Sequence, residues 1–315
     1  MTLREPADVP MERVPCNLCG ADSTVERYPD TRDRAPDGTE WMAFRCTYPG
    51  YGIHPPIVEC RHCGLLYTNP RPAADDIHHN YEAVEDPTYL EQRYGREATF
   101  RRHLRTFERY TGVGAGRRLL DVGAYIGVFV EEARKRGWEA VGLEPSRWAA
   151  GYAAGQGVPV TQGVLADGAF EPESFDALTM WDVIEHLSDP LGELRHAYDL
   201  LKPGGWIAVH TMDRDSLFAR LMGDRWPWLM QMHIYYFTRQ TLAAMLEEAG
   251  FEVADVRPHG RRLSVRYLLT RLEPYSPALA GAIRAMARAA GVEKVLLPVN
   301  FGDLVTAYAR KPAGG

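Results

Sequence analysis

Four cysteines fall in two knuckles, Cys16-Asn17-Leu18-Cys19-Gly20 and Cys60-Arg61-His62-Cys63-Gly64. Two thiolates two residues apart, followed by a glycine that permits a sharp turn, can face one ion. Two such pairs complete a tetrahedral Zn²⁺ shell. Redox dithiols or plain buried thiols are the alternatives, and a disulfide framework does not suit a reducing compartment. Cys46 is left over and is expected as a core thiol. His54 and His62 could replace a ligand, although four cysteines suffice. The second constellation is Leu119-Leu120-Asp121-Val122-Gly123-Ala124-Tyr125-Ile126-Gly127, with Glu144 following about 20 residues after the turn. A glycine-containing turn between strand and helix lets the backbone approach a ligand, and an acid at that spacing suits a ribose diol. Taken alone, such a turn fits any α/β protein, and its neighbours must decide. The third set is His186, His210 and His233, imidazole being the side chain that ordinarily titrates near neutral pH.

These residues need elements to position them. From residue 117 the chain alternates short apolar runs with helical patterns. Strands are expected over 118–122, 139–143, 158–161, 175–180, 206–210, 252–257 and 303–309. Helices are expected from the Gly turn to 136, from 145 to about 155, over 191–201 and over 239–249, the last capped by Thr238. Lys202-Pro203-Gly204-Gly205 reads as a stop before the fifth strand. Strands alternating with helices imply a parallel, doubly wound α/β sheet, and ligands of such sheets sit beyond the C-terminal strand ends. Asp121, Glu144, Trp181 and Asp182 all fall at such ends and should face one crevice.

Around this core the chain divides into a zinc-binding module at 1–72, a helical linker or cap at 73–115 and the α/β domain at 116–315. Segment 28–56 of the module, rich in Pro, Gly and Asp, should be mostly loop. In the cap, Phe100, Leu104, Phe107 and Tyr110 keep helical spacing and mark a buried face. Tyr81, Tyr89 and Tyr94 are candidates to close over a ligand. Within the α/β domain, residues 213–237 are expected as an irregular aromatic lid, holding Trp226, Trp228, His233, Tyr235 and Tyr236. Residues 258–300 are expected as an insertion of two helices. Between Arg257 and Lys294 stand eight basic residues against two glutamates, in a chain of net charge -6. A solvated face, an anionic substrate or an acidic membrane surface could each account for that asymmetry.

With 45% apolar and 25% charged residues, the chain of 315 residues has the composition of a soluble globular protein. No apolar run approaches the ~18 residues of a membrane span, and the polar, acidic Met1–Pro15 stretch does not resemble a signal peptide. A cytoplasmic location is the expectation, with peripheral membrane contact left open. The oligomeric state is not legible.

Taken together, the motifs resemble class I S-adenosylmethionine-dependent methyltransferases over about residues 117–311. They are Leu119-Leu120-Asp121-Val122-Gly123, Val141-Gly142-Leu143-Glu144-Pro145-Ser146, Phe175-Asp176, Trp181-Asp182-Val183-Ile184-Glu185-His186-Leu187, Leu200-Leu201-Lys202-Pro203-Gly204-Gly205 and Ala249-Gly250-Phe251. The paired knuckles and Gly64-Leu65-Leu66-Tyr67-Thr68-Asn69-Pro70-Arg71-Pro72 are similar to a subgroup that includes deoxysugar C-methyltransferases. Asp182-Val183-Ile184-Glu185-His186 is similar to quinone-biosynthesis O-methyltransferases. The resemblance implies a seven-stranded, Rossmann-like methyltransferase sheet beside a small zinc-ribbon-like module, with S-adenosylmethionine and a structural Zn²⁺ as cofactors. It implies that Asp121, Gly123, Ala124, Tyr125 and Gly127 approach the methionine part. Glu144 would hold the ribose, beside Pro145. Leu165 would contact adenine, and Trp181 and Asp182 would border the acceptor. Ala124 and Tyr125 depart from the usual three-glycine form, and Tyr125 either points away over the helix or packs on the methionine portion.

The implied reaction is in-line methyl transfer to a small molecule, such as a sugar, a nucleotide-linked sugar or a natural-product hydroxyl or carbon. His233 is favoured as general base, with Tyr236 and His186 as further catalytic candidates. The basic insertion leans the acceptor towards an anion. Two alternatives compete: an RNA base methyltransferase with a zinc module, and a non-catalytic cofactor-binding protein. Residues 1–80 hold eight arginines and no lysine against twelve acids, the wrong balance for tracking phosphates, so no nucleic-acid partner is expected.

Overall fold

The computed structural model describes residues 10–36, 42–48, 50–273 and 276–314. The first nine residues, to which part of the signal-peptide reading applies, lie outside them. The N-terminal module contributes β1 (Met11–Glu12), β2 (Thr24–Tyr28), β3 (Ile57–Cys60), β4 (Leu66–Thr68) and β5 (Arg71–Pro72). Two helices follow, α1 (Ala74–Ala83) and α2 (Arg93–Thr111). The α/β region then runs β6 (Arg118–Val122), α3 (Val128–Arg134), β7 (Glu139–Glu144), α4 (Arg147–Gly155), β8 (Val160–Gln162), β9 (Phe175–Trp181), α5 (Pro190–Leu200), β10 (Leu201–Met212), α6 (Leu217–Met222), β11 (Tyr235–Tyr236), α7 (Arg239–Glu248) and β12 (Glu252–Pro258). It ends with β13 (Arg261–Ser264), α8 (Val265–Leu272), α9 (Pro277–Ala289), β14 (Leu296–Val299) and β15 (Leu304–Arg310).

Seven strands form one sheet in the order β12-β15-β10-β9-β6-β7-β8. Only β15 runs against its neighbours. This is the expected doubly wound sheet. Strand alternation sorts its core onto two faces. Leu119, Ala140, Ala177 and Ala208 meet Leu104 and Phe107 of α2, Phe129 of α3 and Tyr308. Leu120, Leu178, Ile207 and Val209 meet Leu194 of α5 and Leu242, Met245 and Leu246 of α7. The small alanines leave room for the large rings above them, which is why α2 packs directly on the sheet. The expected face of α2 is the one buried.

Three expectations change. Lys202-Pro203-Gly204-Gly205 does not stop the chain before a strand but lies inside β10. Pairing with β9 jumps between Leu201 and Trp206, so these residues bulge out of register. A Cβ on Gly205 would meet the Lys202 carbonyl oxygen at 2.8 Å. Second, the aromatic segment is no free lid. Its strand β11 pairs with β4, completing a four-stranded sheet in the order β11-β4-β3-β2. Trp226 and Trp228 both donate their indole N–H to the buried carboxylate of Asp303, at 3.2 and 2.8 Å. The alternating apolar residues around Tyr235 belong to the core, and the module and the seven-stranded sheet share it. Third, the insertion does hold two helices, but they are framed by the ladder β13–β14, with Arg261 opposite Val299 and Ser264 opposite Leu296. No described helix is long and apolar enough to cross a membrane.

Candidate functional site

The crevice opens where β6, β7 and β9 end, as the strand order requires. Gly123 has φ +69°, and a Cβ there would meet Val183 at 2.5 Å. Gly127, the N-cap of α3, has φ +77°, and its Cβ would meet Val158 at 2.6 Å. Both glycines are therefore required by backbone conformation and by space. Tyr125 adopts φ +50° without being glycine, a left-handed conformation costing on the order of 1 kcal/mol. Two contacts hold it there. Its N–H donates to Glu144 Oε2 at 2.8 Å, and its ring packs on Tyr89 at 4.3 Å and Trp148 at 5.9 Å. The ring thus turns towards the cap rather than filling the backbone cradle.

Glu144 is buried, and its other oxygen accepts from Ser146 N–H at 2.8 Å. Ser146 also caps α4 through Ala149 N–H. Asp121 is buried and accepts from the Thr179 hydroxyl at 2.7 Å. Removal from water pushes the Asp121 carboxyl up to about 8 and that of Glu144 up to about 7. Glu185, bonded by the Thr211 hydroxyl at 2.8 Å, is likewise pushed up to about 8, by burial first and by Asp182 second. All three buried acids line a cavity of about 950 Å³. Its wall includes Asp121, Gly123, Ala124, Tyr125, Glu144, Pro145, Leu165, Trp181 and Asp182. Gly127 stays behind the turn and does not line it.

The histidines separate. His233 and His186 line the cavity, their rings 4.9 Å apart. His233 Nδ1 lies 2.7 Å from the Trp228 carbonyl oxygen. A carbonyl can only accept, so Nδ1 carries the proton and Nε2 the lone pair. His186 Nδ1 is fixed in the same way by Met232 O and lies 2.9 Å from the Tyr81 hydroxyl. Burial holds both imidazoles below their ordinary pKa, so they are neutral at pH 7. One ligand atom each from Glu185, His186 and His233 lie within 4.8 Å of one another, a donor set suited to a divalent cation. His210 is buried, bonded to Thr306 and 3.7 Å from Asp182. It stacks in a row with His103 and His259 and does not line the cavity. Tyr236 is not brought to the cavity either. It lies on β11, its hydroxyl donating to Met230 O at 3.3 Å, so β11 pairing fixes it in the shared core.

The two knuckles meet. Cys16 and Cys63 Sγ are 3.4 Å apart, Cys19 and Cys60 Sγ 3.5 Å, and all four sulfurs lie within 4.8 Å of one another. Gly20 and Gly64, at φ +71° and +78°, close the two turns. Zn–S bonds of about 2.3 Å in a tetrahedron need sulfurs roughly 3.8 Å apart, so the donors fit Zn²⁺. His54 and His62 are outside the cluster. Cys46 is not a core thiol: it lines the cavity wall, with surface open to that space.

The profile of the "Methyltransferase domain" family matches residues 89–256. This chain belongs to that family. It is an S-adenosylmethionine-dependent methyltransferase. Relatives include the ubiquinone biosynthesis O-methyltransferase of Aeromonas salmonicida, 28% identical over 50% of this chain and 77% of the relative. The protein of the same name from Ruegeria pomeroyi is 31% identical over 51% of this chain and 75% of the relative. A chain of the complex between the Haloferax volcanii Trm112 methyltransferase activator and a methyltransferase superposes with a TM-score of 0.51 at 14% identity. It covers 71% of this chain and 94% of that one, and the likeness is one of fold.

In this methyltransferase several cavity residues carried no sequence signal of their own. Arg261 reaches from β13 to Asp182, Nη2 to Oδ1 at 2.6 Å. Asp182 itself sits at φ +58°. Arg96 lies over the Tyr89 ring at 3.5 Å and has no carboxylate within salt-bridge distance among the described residues. Of the three cap tyrosines, Tyr81 and Tyr89 line the cavity, while Tyr94 is 62% exposed on the outside of α2.

The raised acids make stability pH-dependent. A carboxyl whose folded pKa exceeds its unfolded value binds more protons when folded, so its contribution is present at low pH and lost as pH rises through the folded value. For Asp121 the window runs from about 4 to about 8. The cofactor-free protein should lose stability across it. Asp121→Asn, which keeps the acceptor for Thr179, should flatten that slope by on the order of 1 kcal/mol per pH unit. Urea unfolding at pH 5 and pH 8 measures it, and equal slopes in both proteins would contradict the assignment.

Proposed function

We propose that this methyltransferase binds S-adenosylmethionine along Asp121–Tyr125 and Glu144 and methylates a small-molecule acceptor in the same cavity. The observation that carries this reading is one cavity lined by the glycine turn, the buried acids Asp121, Glu144 and Glu185, and neutral His233. A cofactor bearing a sulfonium and an ammonium suits buried acids. The cavity is also large enough for a cofactor and a modest acceptor together. When bound, the cofactor supplies an electrophilic methyl group.

The chain's own residues then have the following work. The unused lone pairs of Glu144 accept the ribose hydroxyls while the N–H groups of Tyr125 and Ser146 keep the carboxylate fixed. Leu165 and its neighbours Gly163 and Val164 cover the adenine. Arg96, the guanidinium beside the Tyr89–Tyr125 pair, takes the methionine carboxylate. Trp181 and Asp182 divide cofactor from acceptor, and Arg261 holds the Asp182 carboxylate in place. His233 Nε2 accepts the acceptor's proton. Alignment and proton removal are what the protein adds to the cofactor's own reactivity. The relatives named for ubiquinone biosynthesis support a hydroxyl as the methylated group. The four cysteines hold a structural Zn²⁺, which ties β2–β4 and hence β11 in place.

His233→Ala tests the base. Turnover should fall roughly 10²- to 10⁴-fold, with S-adenosylhomocysteine affinity within about twofold of wild type. Unchanged turnover would remove His233 from the chemistry. A second reading rests on the Glu185, His186 and His233 donor set, which could instead hold a divalent cation against the acceptor oxygen. Chelation that abolishes turnover, with restoration by Mg²⁺ or Mn²⁺ and no change in module folding, would favour that reading.

A further inference from the structure

We propose that the cavity contains a built anion site centred on Arg271, and that the methyl acceptor is an apolar or aromatic molecule bearing a phosphate or carboxylate group. The inference rests on the reading of this cavity as the acceptor site. Arg271 lies on α8, in the insertion. Its Nη1 donates to the Tyr51 hydroxyl at 3.1 Å, and its Nη2 to the Tyr267 hydroxyl and to the Cys46 carbonyl at 3.5 Å. Arg271, Tyr51, Tyr267 and Cys46 all line the cavity.

Charge pairing and position together single Arg271 out. Of the eight basic residues from Arg257 to Lys294, Arg257, Arg261, Arg266, Arg284 and Arg288 each have a carboxylate partner: Asp255, Asp182, Glu91, Glu273 and Glu293. The basic character of the segment is therefore largely neutralised by ion pairs, which weakens the reading of it as a lipid-binding surface. Arg271 differs. Its hydrogen-bond partners are neutral, and among the described residues no carboxylate lies within salt-bridge distance. It is half-buried on α8, whose Leu268 and Leu272 also line the cavity. A cation drawn out of water against apolar neighbours is stabilised when an anion joins it. A guanidinium flanked by two phenols presents the planar fork and hydroxyls that bind a phosphate or carboxylate.

The site is built from other residues than those proposed for the methionine carboxylate. Arg96 stands beside the turn, whereas the partners of Arg271 come from the module and from α8. The wall also carries Tyr48, Phe218, Met222 and Trp228, a lining for an apolar or aromatic body. Module, insertion and aromatic segment thus meet around one acceptor, which gives the insertion a function in selecting it.

The test uses the full chain with S-adenosylhomocysteine present, titrated with phenyl phosphate, benzoate and phenol and followed by calorimetry. Wild type should bind one or both anions more tightly than phenol. Arg271→Gln should weaken that binding roughly 10- to 100-fold without changing phenol or S-adenosylhomocysteine binding, and Arg271→Lys should restore part of it. Preference for phenyl phosphate assigns a phosphate-bearing acceptor, and preference for benzoate a carboxylate. Equal anion binding by wild type and Arg271→Gln, or no preference of wild type for either anion over phenol, overturns the proposal. Should the Gln variant not fold, Tyr51→Phe with Tyr267→Phe must weaken the same anion. Failure of S-adenosylhomocysteine to bind would count against the cofactor reading, while the anion titration alone still answers for Arg271.

Discussion

Glu144→Gln should weaken S-adenosylmethionine binding by roughly 100-fold, since two hydrogen bonds to a charged acceptor are replaced and each is worth about 1.5–3 kcal/mol. The effect is large because this carboxylate does two things. Its oxygens accept Tyr125 N–H and Ser146 N–H, both at 2.8 Å, and it lines the cavity where a ribose would lie. A glutamine offers one carbonyl oxygen and one NH₂, so one backbone N–H must face a donor. That loss should lower unfolding stability by about 1–3 kcal/mol. The two effects can be measured separately, by calorimetric titration and by urea unfolding. A stability loss with cofactor affinity within threefold of wild type would mean that Glu144 only holds the turn. Tyr125, strained at φ +50° and tied to Glu144 by its N–H, should shift with it.

Cys60→Ser should have the larger structural effect. Structural Zn²⁺ binding in small domains contributes roughly 10–16 kcal/mol of apparent free energy, comparable with the whole stability of a typical domain, about 5–15 kcal/mol. Losing one thiolate should therefore unfold the module rather than merely loosen it. The unfolding should not stay local. Strand β4 carries β11, and β11 follows directly on the segment bearing Trp228, Met230, Met232 and His233. The expected result is loss of bound zinc, loss of turnover and a red-shifted tryptophan emission as Trp226 and Trp228 leave Asp303. A Cys60→Ser protein that retains wild-type melting and activity would show that the cysteines are not a zinc site on which the fold depends.

The α/β sheet was legible because its strands are short, apolar and separated by capped helices. β6, for instance, begins and ends at the residues the pattern indicates. Asp121 and Glu144 were legible for the same reason: strand ends in a doubly wound sheet must face one crevice. The aromatic segment was not. Tyr235 and Tyr236 form only two residues of strand, and their partner, β4, lies more than 150 positions away in the chain. Local spacing holds no record of that pairing. Tyr236 and His210 were candidates on side-chain chemistry, but pairing and burial direct them elsewhere. Arg96, Arg261 and Arg271 were invisible for the opposite reason. Each is one arginine among many, and only the tertiary fold shows which of them lacks a carboxylate or which one reaches Asp182.

The central claim is methyl transfer from S-adenosylmethionine to a small molecule, and one measurement addresses it directly. The purified chain is incubated with methyl-labelled S-adenosylmethionine and a deproteinised, nucleic-acid-free metabolite extract, and the label is followed by mass. The account predicts label in a low-mass product, lost with His233→Ala and abolished by S-adenosylhomocysteine. Label appearing only in added RNA, or no transfer from a cofactor that demonstrably binds, would contradict it.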